Sequence, residues 1–169
     1  VDNYKEWGRL GGWTSSSGRG WANLSNAPFR MYKRYTHEGG VATPLIVHWP
    51  AGFKAKGELR HAPSHIIDVA PTCLSAAGLS SKGMVGKSLL PVFAKDSEKV
   101  RTLYWEHEGN RAVRKGNYKL VSMHDTPWEL YDMSQDRSEL KDLSETMPTK
   151  AKELLSLIHI SEPTRPLRI

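Results

Sequence analysis

The pair of glycines at positions 39 and 40 constrains the fold of this chain more than any other feature of its sequence. Glycine tolerates positive φ angles and close backbone approach, so a Gly-Gly pair permits a sharp change of chain direction. The pair joins a basic, aromatic segment to the apolar run at 44–49, which is short, rich in β-branched residues and followed by Pro50. Such a run is typical of a buried strand, so we predict a strand over 45–49.

The segment before the glycines carries three cationic side chains, Arg30, Lys33 and Arg34. A cationic loop that enters a core strand through a tight turn is a suitable place to hold an anion, although composition does not identify which one. Residues 28–35 are compatible with a helical turn or a short helix. His37 and Glu38 fit either acid–base chemistry or hydrogen bonds that hold the turn, and we favour the second interpretation.

Length, charge and hydropathy restrict the class of protein. The chain has 169 residues, a net charge of +6 and an isoelectric point of about 9.5, which favours anionic partners. The charge is spread thinly, and only 30–35 interleaves cations with aromatic rings as a nucleic-acid-binding surface would. No apolar run approaches the roughly 20 residues that cross a bilayer. We therefore expect neither nucleic acid nor a membrane as partner.

Local signals outline the rest of the chain. Residues 1–27 are polar and show no helical periodicity, which predicts a long surface loop. Asp68 fits a helix N-cap, with Pro71 in the first turn and Gly78 after the last turn. The single cysteine, Cys73, allows no internal disulfide, and its apolar neighbours predict a buried thiol.

A charged stretch near 94–99 predicts a domain boundary. Beyond it, alternating residues predict strands at 101–106 and 128–131 and a hairpin over 111–121 that turns at Lys115 and Gly116. An amphipathic helix is predicted from Pro148 onward. These segments together indicate a small antiparallel sheet with a terminal helix.

Five motifs, which occur in one consistent order and cover most of residues 7–153, resemble the carboxyl-terminal half of the type I sulfatases (the arylsulfatase family). They are Asn-Ala-Pro-Phe-Arg at 26–30, Lys33-x-x-x-His37-Glu38-Gly39-Gly40-Val41-x-x-Pro44, Asp-Val-Ala-Pro-Thr at 68–72, Trp-Glu-His-Glu-Gly-Asn-Arg-Ala at 105–112 and Trp-Glu-Leu-Tyr-Asp at 128–132. The resemblance implies an α/β fold of the alkaline-phosphatase type. Residues 1–97 would be the end of its large α/β domain, and residues 98–154 a small antiparallel subdomain with a terminal helix.

The same resemblance implies hydrolysis of aryl or carbohydrate sulfate esters by a formylglycine nucleophile beside a calcium ion. In that family the nucleophile and most calcium ligands precede the region present here, so we expect the chain alone to be inactive. Because it begins at Val1, we also expect it to be part of a longer protein, missing its amino-terminal part. The resemblance implies a secreted or periplasmic location.

Candidate site residues follow from the motif positions. Lys33 corresponds to the family lysine that contacts the sulfate group, which makes it the candidate catalytic and substrate-binding residue; a solvated surface lysine is the alternative. His107, Asn110 and Arg111 are candidate ligands of a sulfated sugar, although Arg111 could equally pair with a neighbouring glutamate. Asp2 and Asn3 resemble the calcium-binding pair, but Tyr4 follows where the family has glycine, and two oxygen-bearing side chains alone do not make a calcium site. An ordinary polar loop is the favoured alternative.

The end of the chain requires separate treatment. Residues 155–165 resemble a translated sequencing adapter, so we exclude 155–169 from fold reasoning. The sequence Ser-Glu-Pro-Thr-Arg at 161–165 matches the formylglycine motif. In the sulfatase family that motif lies far upstream of the lysine, so we assign it no role here.

Two other functions remain open. The His-Glu-Gly-Gly segment recurs in phosphoryl-transfer hydrolases of the same superfamily, such as phosphodiesterases and phosphonate hydrolases. A basic module that binds sulfated polysaccharide or nucleic acid without hydrolysing an ester is the non-enzymatic alternative, and its binding would weaken with salt.

Overall fold

The computed structural model describes residues 18–54, 57–96 and 101–161. Its helices are α1 (Gly18–Asn26), α2 (Glu38–Val41), α3 (Val69–Ala76), α4 (Leu90–Ala94) and α5 (Pro148–Ser161), and a 3₁₀ turn at Ile66–Asp68 precedes α3. The strands are β1 (Thr102–His107), β2 (Asn110–Lys115), β3 (Tyr118–Ser122) and β4 (Glu129–Asp132). They form one antiparallel sheet in the order β1-β2-β3-β4.

Tight turns set the register of this sheet. Glu108 and Gly109 connect β1 to β2, and both have positive φ angles, 51° and 82°. Gly116, with a φ angle of 60°, begins the turn between β2 and β3. Two-residue turns with positive φ match the twist of antiparallel strands. The hairpin predicted around Lys115 and Gly116 is therefore confirmed.

Both faces of the sheet are covered. On one face a cluster of Val113, Leu120 and Leu130 packs against Leu154 and Ile158 of α5. On the other face lie Ala112, Val121, Tyr131 and Met133, with Trp105 beside them. Successive side chains of a strand alternate between faces, so this second face also receives Lys119 and Glu129. Residues 30–38 and the connector after β4 cover it.

The helix α3 and its end at Gly78 are confirmed. Pro71 lies in its first turn and is buried. Gly78 has a φ angle of 72° and ends the helix, with Leu79 N donating to Leu74 O and Gly78 N to Ser75 O. This pair of hydrogen bonds is the Schellman arrangement that glycine favours. The cap differs from the prediction, because the Asp68 carboxylate accepts from His65 N and serves the 3₁₀ turn instead.

The α/β class, the small antiparallel sheet and the terminal helix are confirmed. The division at residue 97 stays a prediction. The helix α5 runs through residue 161, so the expected adapter tail begins inside it, and Ile158 is buried in the sheet core. No helix among the described residues is long and apolar enough to cross a membrane.

Three local predictions were wrong. The strand predicted at 45–49 is not formed: residues 42–49 have no regular structure, and Ile46 is 88% exposed. A strand needs a neighbouring strand for its backbone hydrogen bonds, and no described segment pairs with this one. Residues 18–26 form helix α1 rather than a loop. Of the two structures expected for 28–35, a helical turn or a short helix, the structure has only turns. Cys73 is exposed, because no described segment covers the face of α3 that carries it.

Candidate functional site

Lys33 lies in the middle of a loop, residues 30–37, whose backbone is strained. Met31 and Arg34, on either side of it, have φ angles of 63° and 102°, which non-glycine residues seldom adopt. Such residues cost on the order of 1–3 kcal/mol each and persist only where the surroundings enforce them. Lys33 itself is exposed and makes no hydrogen bond or ion pair with another described residue. The contacts at the two ends of the loop therefore determine where this lysine stands.

The glycine pair serves close approach. A Cβ atom on Gly39 would lie 2.1 Å from Met31 O and 2.3 Å from Arg30 O, and one on Gly40 would lie 1.9 Å from Tyr35 O. Any side chain here would collide with the backbone of the loop. Gly39 N also donates to Arg30 O at 2.9 Å. The two glycines thus allow the loop that carries Lys33 to fold directly onto α2.

The first end of the loop is held by Arg30. Its Nη1 donates to the Tyr131 hydroxyl and to Glu139 O, both at 2.7 Å, and lies 3.4 Å from the Glu129 carboxylate. Burial and the adjacent Glu129 carboxylate raise the pKa of Tyr131, so this phenol stays protonated and donates to Glu129. Arg30 therefore attaches the loop to β4 and to the connector that follows β4.

The second end is held by His37, which is fully buried. Its Nε2 lies 3.0 Å from Glu129 Oε2. This hydrogen bond lowers the pKa of Glu129 to about 2, with help from Tyr131 and Arg30 and against the effect of burial. His37 Nδ1 and Thr36 Oγ1 are buried without a hydrogen-bond partner among the described residues. The burial of His37 and its hydrogen bond to Glu129 support a structural role rather than acid–base chemistry.

Glu38 enters a buried ion cluster. Its Oε1 lies 3.0 Å from Lys119 Nζ and its Oε2 lies 3.3 Å from Arg137, while Lys119 is also 2.8 Å from Glu139. Burial raises the pKa of Glu38, but the two cations outweigh burial and the pKa is lowered overall. The prediction that Glu38 holds the turn, rather than reacting, agrees with this geometry.

Lys119, Glu129 and Glu139 were missed by sequence reasoning. Lys119 lies one position before Leu120 and two before Val121, and it shares a sheet face with buried Val121. A lysine at an inward position of a strand is the signal that could have found it, because lysine is almost never fully buried without a partner.

The other substrate-binding candidates lie in different surroundings. Asn110 is 4% exposed and its amide donates to His107 O at 2.9 Å and to Arg34 O at 3.3 Å, so it links the β1–β2 turn to the loop of Lys33. Arg34 also pairs with Glu108 of that turn. His107, the last residue of β1, is exposed next to that turn. The structure thus brings His107 and Asn110 toward the loop.

Arg111 is not brought to that loop. It follows Asn110 in β2 and therefore projects from the opposite face, where its guanidinium lies 5.8 Å from the Trp128 ring centroid. Its two alternative roles, binding of substrate and pairing with a neighbouring glutamate, both stay predictions.

The described residues do not fit a calcium site. Among them there is no group of three or more His, Cys, Asp or Glu side chains close enough to share a metal ion. The buried carboxylates of Glu38 and Glu139 pair with Lys119, and that of Glu129 accepts from His37. Asp2 and Asn3, the predicted calcium pair, lie outside the described residues.

The sequence profile described as "N-sulphoglucosamine sulphohydrolase, C-terminal" matches residues 29–159, well over half of the chain. The chain belongs to this family.

Curated relatives are also sulfatases. An uncharacterized sulfatase of Schizosaccharomyces pombe is 32% identical over 155 residues, which cover 80% of this chain and 27% of the relative. The N-acetylgalactosamine-6-sulfatase of Mus musculus is 39% identical over 100 residues, covering 56% of this chain and 19% of that protein. The arylsulfatase of Klebsiella aerogenes is 34% identical, covering 54% and 20%. The chain thus spans about a fifth to a quarter of the length of these relatives.

Solved structures share the fold. Ps i-CgsB in complex with k-i-k-neocarrahexaose superimposes with a TM-score of 0.71 at 24% identity, covering 79% of this chain and 32% of that one. A protein from glycosaminoglycan metabolism in Bacteroides thetaiotaomicron gives a TM-score of 0.66 at 22% identity, covering 78% and 31%. At this identity the likeness supports the fold alone.

Proposed function

We propose that this chain is the carboxyl-terminal part of an enzyme that hydrolyses sulfate esters of carbohydrates or aryl alcohols, and that Lys33 contacts the sulfate group. The observation that carries the proposal is the loop of residues 30–37. It presents an exposed lysine without a partner among the described residues, in a strained backbone held by buried contacts at both ends. Family membership and the printed functions of the relatives support the reaction class.

The role of Lys33 follows from charge. Negative charge on the sulfuryl oxygens is best stabilised by donors that are already in place before the reaction. An ammonium group acts there as a compact point charge. The loop that carries the ammonium group is held by the contacts of Arg30 and His37 at its two ends. His107, next to the turn that Asn110 attaches to this loop, would contact the part of the substrate outside the sulfate group.

The nucleophile would come from the part of the protein outside these 169 residues. By family resemblance it would be a formylglycine beside calcium, with Asp2 and Asn3 as the candidate ligands within this chain. The described residues contain no group of side chains that could hold the ion. Its identity can be tested on the full-length protein by metal analysis before and after treatment with a chelator.

Sulfate release is the experiment that tests the proposed function. The full-length protein, matured with a formylglycine-generating enzyme, should release sulfate from p-nitrophenyl sulfate or from 6-sulfated N-acetylgalactosamine. Purified 1–169 should release none. Turnover of either substrate by 1–169 would place a nucleophile inside the chain.

Two comparisons separate the alternatives. Faster hydrolysis of p-nitrophenyl phosphate or of a phosphodiester than of any sulfate ester would favour a phosphoryl-transfer hydrolase. Salt-dependent retention of the full-length protein on heparin, without hydrolysis of any ester, would favour a polyanion-binding module.

A further inference from the structure

Lys119 on β3 is a fully buried lysine, with a side-chain exposure of 0%. A charged ammonium group away from water is costly unless it is paired. Its Nζ lies 3.0 Å from Glu38 Oε1 and 2.8 Å from Glu139 Oε1, with the Trp105 ring centroid at 5.9 Å. The small sheet therefore directs a positive charge at two carboxylates from different segments of the chain.

The two carboxylates act on the loop of Lys33. Glu38 directly follows that loop and begins α2. Glu139 lies in the connector after β4, and its Oε2 accepts from Glu38 N at 2.8 Å. The side chain and the backbone of Glu38 are thus held by one unit, made of Lys119 and Glu139. This unit fixes the end of the loop that is nearer to the glycine pair.

The same connector reaches the other end of the loop. Arg30 donates to the main-chain oxygen of Glu139 at 2.7 Å, while the side chain of Glu139 faces Lys119. A shift of Glu139 would therefore move both ends of the segment on which Lys33 is carried. Lys33 has no hydrogen bond or ion pair of its own with the described residues that could compensate.

We propose that Lys119 is a positioning residue for catalysis: through Glu38 and Glu139 it sets the place of the loop and so of the Lys33 ammonium group. The inference rests on the proposed function, in which Lys33 contacts sulfate. In this role Lys119 acts from a buried position and through other residues.

A purely stabilising role is the competing explanation, and a double-mutant cycle distinguishes the two. If Lys119 acts through Lys33, its removal should cost little once Lys33 is already absent. If Lys119 only stabilises the fold, the two losses should multiply, because independent sites are additive in free energy.

The cycle uses Lys119→Met, Lys33→Ala and the double variant in the full-length protein, with kcat and KM measured for p-nitrophenyl sulfate. We expect Lys119→Met to lower kcat/KM by at least about tenfold. The kcat/KM of the double variant should be within about threefold of that of the less active single variant. Lys119→Arg should recover part of the loss. Multiplicative losses, or a kcat/KM for folded Lys119→Met within about twofold of wild type, would overturn the proposal.

Lys115→Met is the matched control. Lys115 lies on the neighbouring strand β2 and pairs with Glu153 at 3.1 Å, but both side chains of this pair are about two-fifths exposed. The control should leave kcat/KM unchanged within about twofold, both in the wild type and in the Lys33→Ala background.

Lys119→Met leaves two facing carboxylates without their shared cation, so Glu38→Gln serves as a second variant. It keeps the size of the side chain and the pair between Lys119 and Glu139. Amide hydrogen exchange should become faster at residues 30–41 in this variant while the amides of β2 and β3 keep their protection. Unchanged exchange at 30–41 would overturn the proposal even if the full-length protein shows no sulfatase activity, so the two failures can be told apart.

Discussion

The imidazole of His37 lies 3.0 Å from the carboxylate of Glu129 and joins the candidate loop to β4, with Nε2 facing Oε2. His37 is fully buried and the Glu129 side chain is 24% exposed. The two residues are far apart in sequence, and their contact fixes the position of His37, which directly precedes α2. Its strength should be visible in how the stability of the chain depends on pH.

Glu129→Gln tests that contact. The hydrogen bond from His37 lowers the pKa of Glu129 from its ordinary 4.5 to about 2. A carboxyl with a depressed pKa contributes stability that is present above about pH 4.5 and is lost as the pH falls toward 2. The contribution is at most about 3 kcal/mol and less in practice, because Glu129 is partly exposed.

We therefore expect the difference in unfolding free energy between wild type and Glu129→Gln to be largest at pH 7 and to shrink toward pH 2. Urea unfolding of 1–169 across this range measures it. Glu153→Gln is the control, because Lys150 also lowers the pKa of Glu153 but at a solvent-exposed site. A difference that stays constant from pH 7 to pH 2 would contradict the assignment.

Lys33→Ala in the full-length protein should lower kcat/KM for an aryl sulfate by at least about tenfold, which equals about 1.4 kcal/mol of transition-state stabilisation. The reason is the loss of the ammonium group that we place against the sulfuryl oxygens. Lys82→Ala, at another exposed lysine, is the control and should have no effect. A smaller loss for Lys33→Ala would remove this residue from the site.

Gly39→Ala should destabilise the chain by about 1–3 kcal/mol, since the new Cβ would lie 2.1 Å from Met31 O and the loop would have to move. Gly20→Ala is matched to it, because Gly20 lies inside α1 with no atom near the added Cβ. That variant should be neutral or more stable by up to about 1 kcal/mol. Equal stability of both variants in urea unfolding would show that the close approach at Gly39 is absent.

Leu154→Ala should cost about 2–5 kcal/mol of unfolding free energy, because Leu154 is 1% exposed and packs in the cluster formed by Val113, Leu120 and Leu130. Leu140→Ala, at a side chain that is 78% exposed, should change stability by less than about 0.5 kcal/mol. Thermal or urea unfolding of 1–169 compares them. Similar small effects for both would mean that α5 is not packed on the sheet.

Local patterns predicted the parts of the fold that neighbouring residues alone can form. The hairpin at 111–121 was predicted because alternation and turn chemistry lie within one short segment. The helix α3 and its end at Gly78 were predicted for the same reason. The strand predicted at 45–49 is not formed, although its composition is as typical of a strand as that of the hairpin. The described residues contain no neighbouring strand that pairs with its backbone.

The candidate site divides in the same way. Lys33 and the glycine pair could be identified from a motif that is contiguous in sequence. The buried cluster could not, since Lys119 and Glu38 are 81 residues apart and Glu38 and Glu139 are 101 apart. Nothing near Glu139 distinguishes it from a surface glutamate of a polar connector.

The sequence alone predicted the features that depend on neighbouring residues. These are the tight turns, the helix ends, the alternation of the small sheet and the motif of a sulfatase. The tertiary structure decided which charged side chains are buried away from water. Burial of an ammonium group depends on what covers it, and Lys119 is covered by segments from far along the chain. The constraint on the loop of Lys33 arises there, because a charge removed from water must be paired and its partners are thereby held in place.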